Sequence, residues 1–548
     1  MHTIPALILA LSIAYVQAAL SGYAPVPATC PSTPLVRTAT GISASESSYI
    51  SARAPVASAA LGAWLHKVNS AFSTANLPAV ALTTSGGGLR SLLTGAGVIQ
   101  ALDSRDSSVG TSGLFQGLTY QAGLSGGGWL LSSFAGNNYP TISNLESTLW
   151  TTAFAESLLV PDNLDVGGAY AQISVDVLAK NAAGYPPTIV DIYGRLLAYQ
   201  LLKGPDGGVA IELSSITGFS NFTSHNVPFP IITSLNVETA TGVCTPPNNT
   251  VIYEFSPYEF GSFDSGVNAF TQTKYLGTSL SNGAPTKATC ETNYDNLGIF
   301  PSPCAIRAAN VSGYILGTSS DIFNELCLTL PLVDDIPGIL ANITAIIAQA
   351  HAVTFMDEYA TYPNPFYKYA HSTLVQAQTE LTLVDGGESH QNNPLFPLLE
   401  PARSVGVILV NDNSADTSGN FPDGSELYQT YMQAQLAGLT KMPVIPPAST
   451  FLSQGYNQRP TFFGCNDAST ITIVYLPNYN YTFPSGESTE KVEYLPSETS
   501  GMIANGGEVA TMGGSATFPT CLACAIVKKT GDALPAACTS CFSTFCYN

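Results

Sequence analysis

Leu118-Thr119-Tyr120-Gln121-Ala122-Gly123-Leu124-Ser125-Gly126-Gly127-Gly128-Trp129-Leu130-Leu131 is the stretch on which the fold reading turns. A strand-like run, Leu118 to Tyr120, enters a glycine-rich turn, and a run with helical character follows from Gly128 to Phe134. Within it, Gly123-Leu124-Ser125-Gly126-Gly127 fits Gly-x-Ser-x-Gly. A nucleophile raised on a tight strand-to-helix turn takes strained dihedrals, and only small residues fit beside it. The helix after such a turn points its N-terminal dipole at the serine and favours negative charge developing there. Two readings stand at this point: a nucleophile on an elbow, or a glycine-rich structural turn.

Working outward, the same grammar recurs. Ala79 to Thr83 reads as a short buried strand, Gly86-Gly87-Gly88 as a turn, and Leu89 to Leu102 as a helix. Leu381 to Val384 and Val405 to Val410 read as further strands, and Ala54 to Asn76 has helical spacing. Short apolar strands that alternate with turns and helices predict an α/β fold, a central largely parallel or mixed sheet flanked by helices. Residues 200–330 are rich in Gly, Pro, Ser, Thr, Asn and aromatics and read as long loops and insertions. No internal repeat and no Pro/Ser/Gly linker divides the chain, so residues 19–548 are expected to form a single domain.

Three glycines in succession at Gly86 to Gly88 free backbone N–H groups to converge on one oxygen, which suits an oxyanion hole. Arg90, two residues on, could hold a phosphate or a carboxylate. No Gly-Lys-Ser/Thr follows, so the phosphate-loop reading fails. Gly95-Ala96-Gly97 resembles a dinucleotide turn only briefly, since Gln100 stands where the third glycine belongs. Asp385 ends the run Leu381 to Val384 and is followed by Gly386-Gly387, so its carboxylate can approach a neighbouring turn closely. Asp206-Gly207-Gly208 also spells Asp-Gly-Gly, but behind Gly204-Pro205 it reads as a plain turn. Of six histidines, His66, His225, His351, His371 and His390 remain once a leader carrying His2 is removed. A Ser-His-Asp triad could use any of the five.

Composition excludes several classes. The 548 residues carry 18 Lys+Arg against 38 Asp+Glu, a net charge of -20. Phosphate binding needs clustered Lys and Arg, so nucleic acid is excluded as a partner. An anionic membrane surface would repel the chain. At 45% hydrophobic residues the chain is not disordered, and with 10% charged residues it falls well below the roughly 25% of ordinary soluble domains.

Ile4 to Val16 is apolar and is followed by Gln17-Ala18-Ala19, so residues 1–18 are expected to be a signal peptide. The run is too short to span a bilayer, and no lipid-anchor tail is seen at the C-terminus. Asn221, Asn248, Asn310, Asn342 and Asn480 head glycosylation sequons. Eleven cysteines include a cluster over 521–546: Cys521, Cys524, Cys538, Cys541 and Cys546. Two C-x-x-C pairs suit either a zinc ribbon or, behind a signal peptide, disulfides; the disulfide reading is preferred, without a connectivity. An odd total leaves at least one thiol free or paired between chains.

Ser85-Gly86-Gly87-Gly88-Leu89-Arg90, Gly123-Leu124-Ser125-Gly126-Gly127-Gly128-Trp129, and Asp385-Gly386-Gly387 with Gln391-Asn392 and Pro394-Leu395 together resemble one family, in its order. It is that of the secreted fungal lysophospholipases (phospholipase B), relatives of the group-IV cytosolic phospholipases and, more distantly, of patatins. Val405 to Asp416, the opening segment with Cys30 and the C-terminal cysteines extend the resemblance over nearly the whole chain after the leader. It implies a patatin-like, α/β-hydrolase-like lipase domain with long insertions. It implies a secreted serine acyl-hydrolase that frees fatty acid from lysophospholipids, and from diacyl phospholipids, through an acyl-enzyme. Ser125 is then the nucleophile and Asp385 the proton acceptor of a Ser-Asp dyad, with Gly87 and Gly88 as the oxyanion hole. Arg90 would steady the phosphate head group or the site itself.

No metal and no cofactor is expected; the family's calcium-binding lipid-targeting module is not apparent. The substrate is expected as monomer, micelle or membrane surface, and the location as extracellular or cell-wall associated. Leu89, Ser91 and Gly128 stand where the family usually has an aromatic, an alanine and a serine, and His390 is unusual in its stretch. Two rivals are a Ser-His-Asp secreted lipase acting on neutral lipids and a non-catalytic secreted glycoprotein.

Overall fold

The computed structural model describes residues 22–158, 166–237, 246–297 and 359–547. The expected leader, the sequons at Asn310 and Asn342, and Cys244, Cys304, Cys327 and His351 lie outside these residues.

Among the described residues, twelve strands form the main sheet. In chain order they are β1 (Val36–Thr38), β2 (Ala79–Thr84), β3 (Leu118–Gly123), β4 (Phe229–Asn236), β5 (Ile252–Phe255), β6 (Glu259–Ser262), β7 (Ala269–Gln272), β8 (Ala360–Pro363), β9 (Glu380–Asp385), β10 (Val405–Asp412), β11 (Thr461–Phe463) and β12 (Thr472–Pro477). Across the sheet the order is β11-β12-β10-β2-β3-β4-β5-β6-β7-β1, with β8 paired to β9 and β9 to β4. β12, β10, β2, β3 and β4 run parallel. The other pairings are antiparallel, so the sheet is mixed. β2, β3 and β10 are buried nearly throughout, as central parallel strands covered on both faces must be.

The reading of 200–330 as loops is corrected here. β4 to β7 lie in that interval and supply four of the twelve strands of the sheet. β4 is buried at all eight positions and so shows no alternation of apolar and polar residues. β5, β6 and β7 have only four residues each, too few for a period to register. Two helix boundaries also move. The first long helix spans Ala44–Val68, capped by Ser43, whose hydroxyl accepts the Glu46 N–H at 3.0 Å. Pro55 sits inside it, where proline ordinarily opens a helix. The helix after the serine turn begins at Ser125 and not at Gly128.

The helix Gly88–Leu102 is buried almost completely and packs against the helix Pro496–Thr511. The two cross at glycines. A Cβ on Gly97 would lie 1.9 Å from the Ile503 carbonyl oxygen, and one on Gly506 would lie 2.0 Å from that of Thr94. The Gly95-Ala96-Gly97 signal is therefore a helix crossing. Asp206-Gly207-Gly208 lies in the short 3-10 turn Pro205–Gly208, as read.

Four disulfides close the described chain: Cys30–Cys290, Cys465–Cys546, Cys521–Cys541 and Cys524–Cys538. The two C-x-x-C pairs bond to each other across the helices Phe518–Val527 and Ala537–Phe545, so these cysteines are spent on disulfides and not on zinc. Among the described residues no helix is long and apolar enough to cross a membrane.

Candidate active site

β3 and β9 reach the same edge of β4 from opposite directions. Gly123, the last residue of β3, stands opposite Ile232, and Asp385, the last of β9, stands opposite Ser234. The other edge of β4 is taken by β5, which pairs with Ile232 through Leu235. Two strand ends thus meet within two residues of one another, about 7 Å along the sheet. Directly opposed residues of an antiparallel pair point to the same face. Ile232, Ser234 and Asp385 therefore share a face. It is the face that carries the helix Ser125–Gly136, because a Cβ on Gly128 would touch Ile232 Cγ2 at 3.4 Å. Asp385, 7% exposed, is directed to the side on which Ser125 stands. Gly386 closes the approach: a Cβ there would lie 3.1 Å from Leu124 Cβ.

Ser125 has φ 48°, a left-handed conformation that a non-glycine residue holds only when its surroundings impose it. It is half-buried between fully buried neighbours and opens its helix, so the dipole acts on its Oγ. Beyond the end of the neighbouring strand β2, Gly87 and Gly88 have φ 134° and 58°, and the helix begins at Gly88. The N–H groups at such a helix start have no acceptor within the helix and are available to an anion. The two turns lie against each other: a Cβ on Gly86 would be 2.9 Å from Ser125 Cβ, and one on Gly126 would be 2.1 Å from the Gly88 carbonyl oxygen. That contact is why neither position carries a side chain.

The glycine loop is fixed from outside. Ser85 N–H donates to the Asn411 carbonyl, and Ser85 Oγ accepts the Asn413 N–H at 2.7 Å. Asn392 ties the loop to the Asp385 segment: its Oδ1 accepts the Gly86 N–H at 3.0 Å, and its Nδ2 donates to the Ser414 hydroxyl at 2.8 Å. The Asn392 N–H donates in turn to Glu426 Oε2 at 2.9 Å. Behind this tie lie buried acids. Burial raises Asp412, burial and then the charge of Asp412 raise Asp416 to about 7, and burial and then Asp416 raise Glu426 to about 8.

Arg90 is fully buried in the first turn of the helix Gly88–Leu102. Its guanidinium donates to the Asn413 carbonyl through Nε at 3.1 Å and Nη2 at 2.9 Å, and to the Glu487 carbonyl through Nη1 at 2.6 Å. A cation in a first turn opposes the helix dipole, and burial pulls this one down to about 10. Its place is the wall behind the glycine loop. The side chain of His390 is 71% exposed, with Nδ1 3.9 Å from Glu426 Oε1. His66 contacts the Phe72 carbonyl, His225 the Tyr49 ring and His371 the Tyr369 ring. None of these contacts is with Ser125 or Asp385. Among the sequons, Asn248 and Asn480 are exposed, and Asn221 Nδ2 donates to the Asn138 carbonyl at 2.8 Å.

Sequence reasoning quoted Asn392 only as a member of a motif, took Asn411 and Asn413 only as part of the run Val405 to Asp416, and missed their work. It missed Glu426 altogether. Glu426 has no local signal, since it reaches the site through Asn392, 34 residues away in the chain.

A mixed sheet whose parallel half leads into a strained serine turn defines the patatin-like α/β class. Human GIVD cytosolic phospholipase A2 shares the fold with a TM-score of 0.68 at 17% identity, over 92% of this chain and 72% of that one. A family model described as the lysophospholipase catalytic domain matches residues 80–548. Lysophospholipase 2 of Aspergillus fumigatus is 36% identical over 566 residues, 96% of this chain and 93% of the relative. Lysophospholipase 1 of Saccharomyces cerevisiae is 36% identical over 579 residues, covering 96% and 84%. Lysophospholipase 1 of Candida albicans is 38% identical over 564 residues, covering 96% and 89%. The chain belongs to the lysophospholipase family and is an enzyme of that family.

Proposed function

We propose that this protein is a secreted serine acyl-hydrolase that frees fatty acid from lysophospholipids, and from diacyl phospholipids, through a Ser125–Asp385 dyad. The observation that carries the mechanism is the strained Ser125 turn pressed against both the Gly86 to Gly88 loop and the end of β9. Ser125 Oγ attacks the ester carbonyl as Asp385 takes its proton. The N–H groups of Gly87 and Gly88 receive the oxyanion. The tetrahedral adduct collapses as Asp385 returns the proton to the departing glycerol oxygen, and water then cleaves the acyl-Ser125 ester. A carboxylate is a weak base in water; burial of Asp385, the helix dipole at Ser125 and a preformed oxyanion loop together make it sufficient.

Four disulfides support an oxidising destination for the chain, with residues 19–548 as one catalytic domain after the leader. Glycans at the exposed Asn248 and Asn480 fit that route, whereas at Asn221 one Nδ2 hydrogen is already given to the Asn138 carbonyl and only the other is open to a glycan. With a net charge of -20, zwitterionic lipid as monomer, micelle or neutral surface is the substrate form the chain would meet without repulsion. Arg90 serves by holding the Asn413 and Glu487 segments around the glycine loop.

The test is labelling with a fluorophosphonate, followed by peptide mapping, alongside hydrolysis of lysophosphatidylcholine. Label on Ser125, with activity lost in both Ser125→Ala and Asp385→Asn, is the expected result. Label elsewhere, or full activity in either variant, overturns the dyad.

A further inference from the structure

Hydrolysis through an acyl-enzyme needs two nucleophiles. Ser125 is the first, and the second is a water that must reach the acyl carbonyl beside Asp385. The strand facing Asp385 carries an unused group at that point. Ser234 stands directly opposite Asp385 in the antiparallel pair, on the same face of the sheet. It is 1% exposed, and among the described residues its Oγ has no hydrogen-bond partner. Two residues along the same face, Asn236 is 3% exposed and its Oδ1 is likewise unpartnered. The helix beginning at Ser125 covers this face, packed on Ile232 two residues before Ser234.

An unpaired buried hydroxyl is destabilising, and native proteins rarely keep one without a use or a water to satisfy it. Cross-strand neighbours have Cβ atoms about 5 Å apart, a span that one water closes with two O–H···O bonds of about 2.8 Å. We propose that Ser234 holds the hydrolytic water against Asp385 for deacylation of acyl-Ser125. The inference rests on the dyad reading above.

Once Ser125 is esterified and the glycerol oxygen has left with its proton, Asp385 is a carboxylate again. A water held by Ser234 gives one proton to Asp385 and forms the new C–O bond. The adduct then expels Ser125 Oγ, which recovers the proton from Asp385, and free fatty acid departs. Ser234 has no part in acylation, where the nucleophile is already attached to the chain.

That separation makes the test specific. Ser234→Ala and Ser234→Cys are compared with the unaltered protein on lysophosphatidylcholine, with rapid quench and intact-mass analysis. In Ser234→Ala, acyl-enzyme is expected to accumulate, kcat to fall about 10- to 100-fold, and the rate of fluorophosphonate labelling to stay unchanged. Hydroxylamine, a nucleophile that needs no positioning by Ser234, is expected to discharge the trapped acyl group. A fall in labelling equal to the fall in kcat, or a change in KM alone, or no accumulation in either variant, overturns the proposal. If the unaltered protein never carries an acyl group on Ser125, the dyad reading fails first and takes this one with it.

Discussion

Asn392 Oδ1 accepts the Gly86 N–H at 3.0 Å, and the Asn392 carbonyl accepts the same N–H at 3.2 Å, across 306 residues of sequence. This doubly held amide fixes the distance between the glycine loop and the segment after Asp385. Asn392→Ala is expected to lower kcat about 10- to 100-fold with KM little changed, since a displaced oxyanion loop stabilises the transition state less. Asn392→Asp keeps the acceptor and should fall between. Steady-state kinetics on lysophosphatidylcholine decide it, and a rise in KM at constant kcat would contradict the assignment.

Ser125→Ala and Asp385→Asn should each reduce kcat by about 10⁴-fold or more, and the double variant little further, because the two act as a unit. Replacing His390, His371, His225 or His66 should leave kcat within a few-fold. One histidine variant as inactive as Ser125→Ala would install a triad in place of the dyad.

Arg90→Met removes a buried cation whose donors satisfy two backbone carbonyls. Activity and melting temperature are expected to drop together, by roughly 2–5 kcal/mol of stability, and Arg90→Lys should not restore them, since one ammonium cannot copy the fork. A rise in KM for phospholipid at unchanged melting temperature would instead assign Arg90 to the head group.

Stability should fall as pH rises. Asp416 at about 7 and Glu426 at about 8 lie well above the roughly 4 of an unfolded carboxyl. Between those limits the folded state holds protons that the unfolded chain has released, so the contribution is complete below about pH 4 and is lost through the neutral range. Thermal melts at pH 5 and pH 8 should show the lower midpoint at pH 8, with Glu426→Gln flattening the difference. A midpoint higher at pH 8 would refute the assignment.

Cys30–Cys290 spans 260 residues and pins the opening segment, where Val26–Ala28 pairs with Cys290–Thr292. Replacing both with serine should cost about 5.6 kcal/mol on the chain-entropy relation. Catalysis at low temperature should persist, and a loss of kcat without loss of stability would place this segment in the site.

The α/β class, the serine turn and the Asp-Gly-Gly end of β9 were legible because each is a local pattern: a buried strand, then residues small enough for a tight turn. β4 to β7 were not, since short or doubly buried strands have no period to read. The acids behind Asn392 were invisible for a different reason. Burial, which raises them, is a property of packing and not of residue type.

The sequence by itself determined which residues could do chemistry, because motif spacing and side-chain size are written in the order of the chain. Only the tertiary structure decided what stands beside them. It sets Asp385 on the Ser125 face, opposite Ser234, and turns His390 outward. It also commits the Arg90 guanidinium to two carbonyls. The reason is register: β3 and β9 share one edge of β4, and which residue of β4 each strand end meets depends on pairing between segments more than one hundred residues apart.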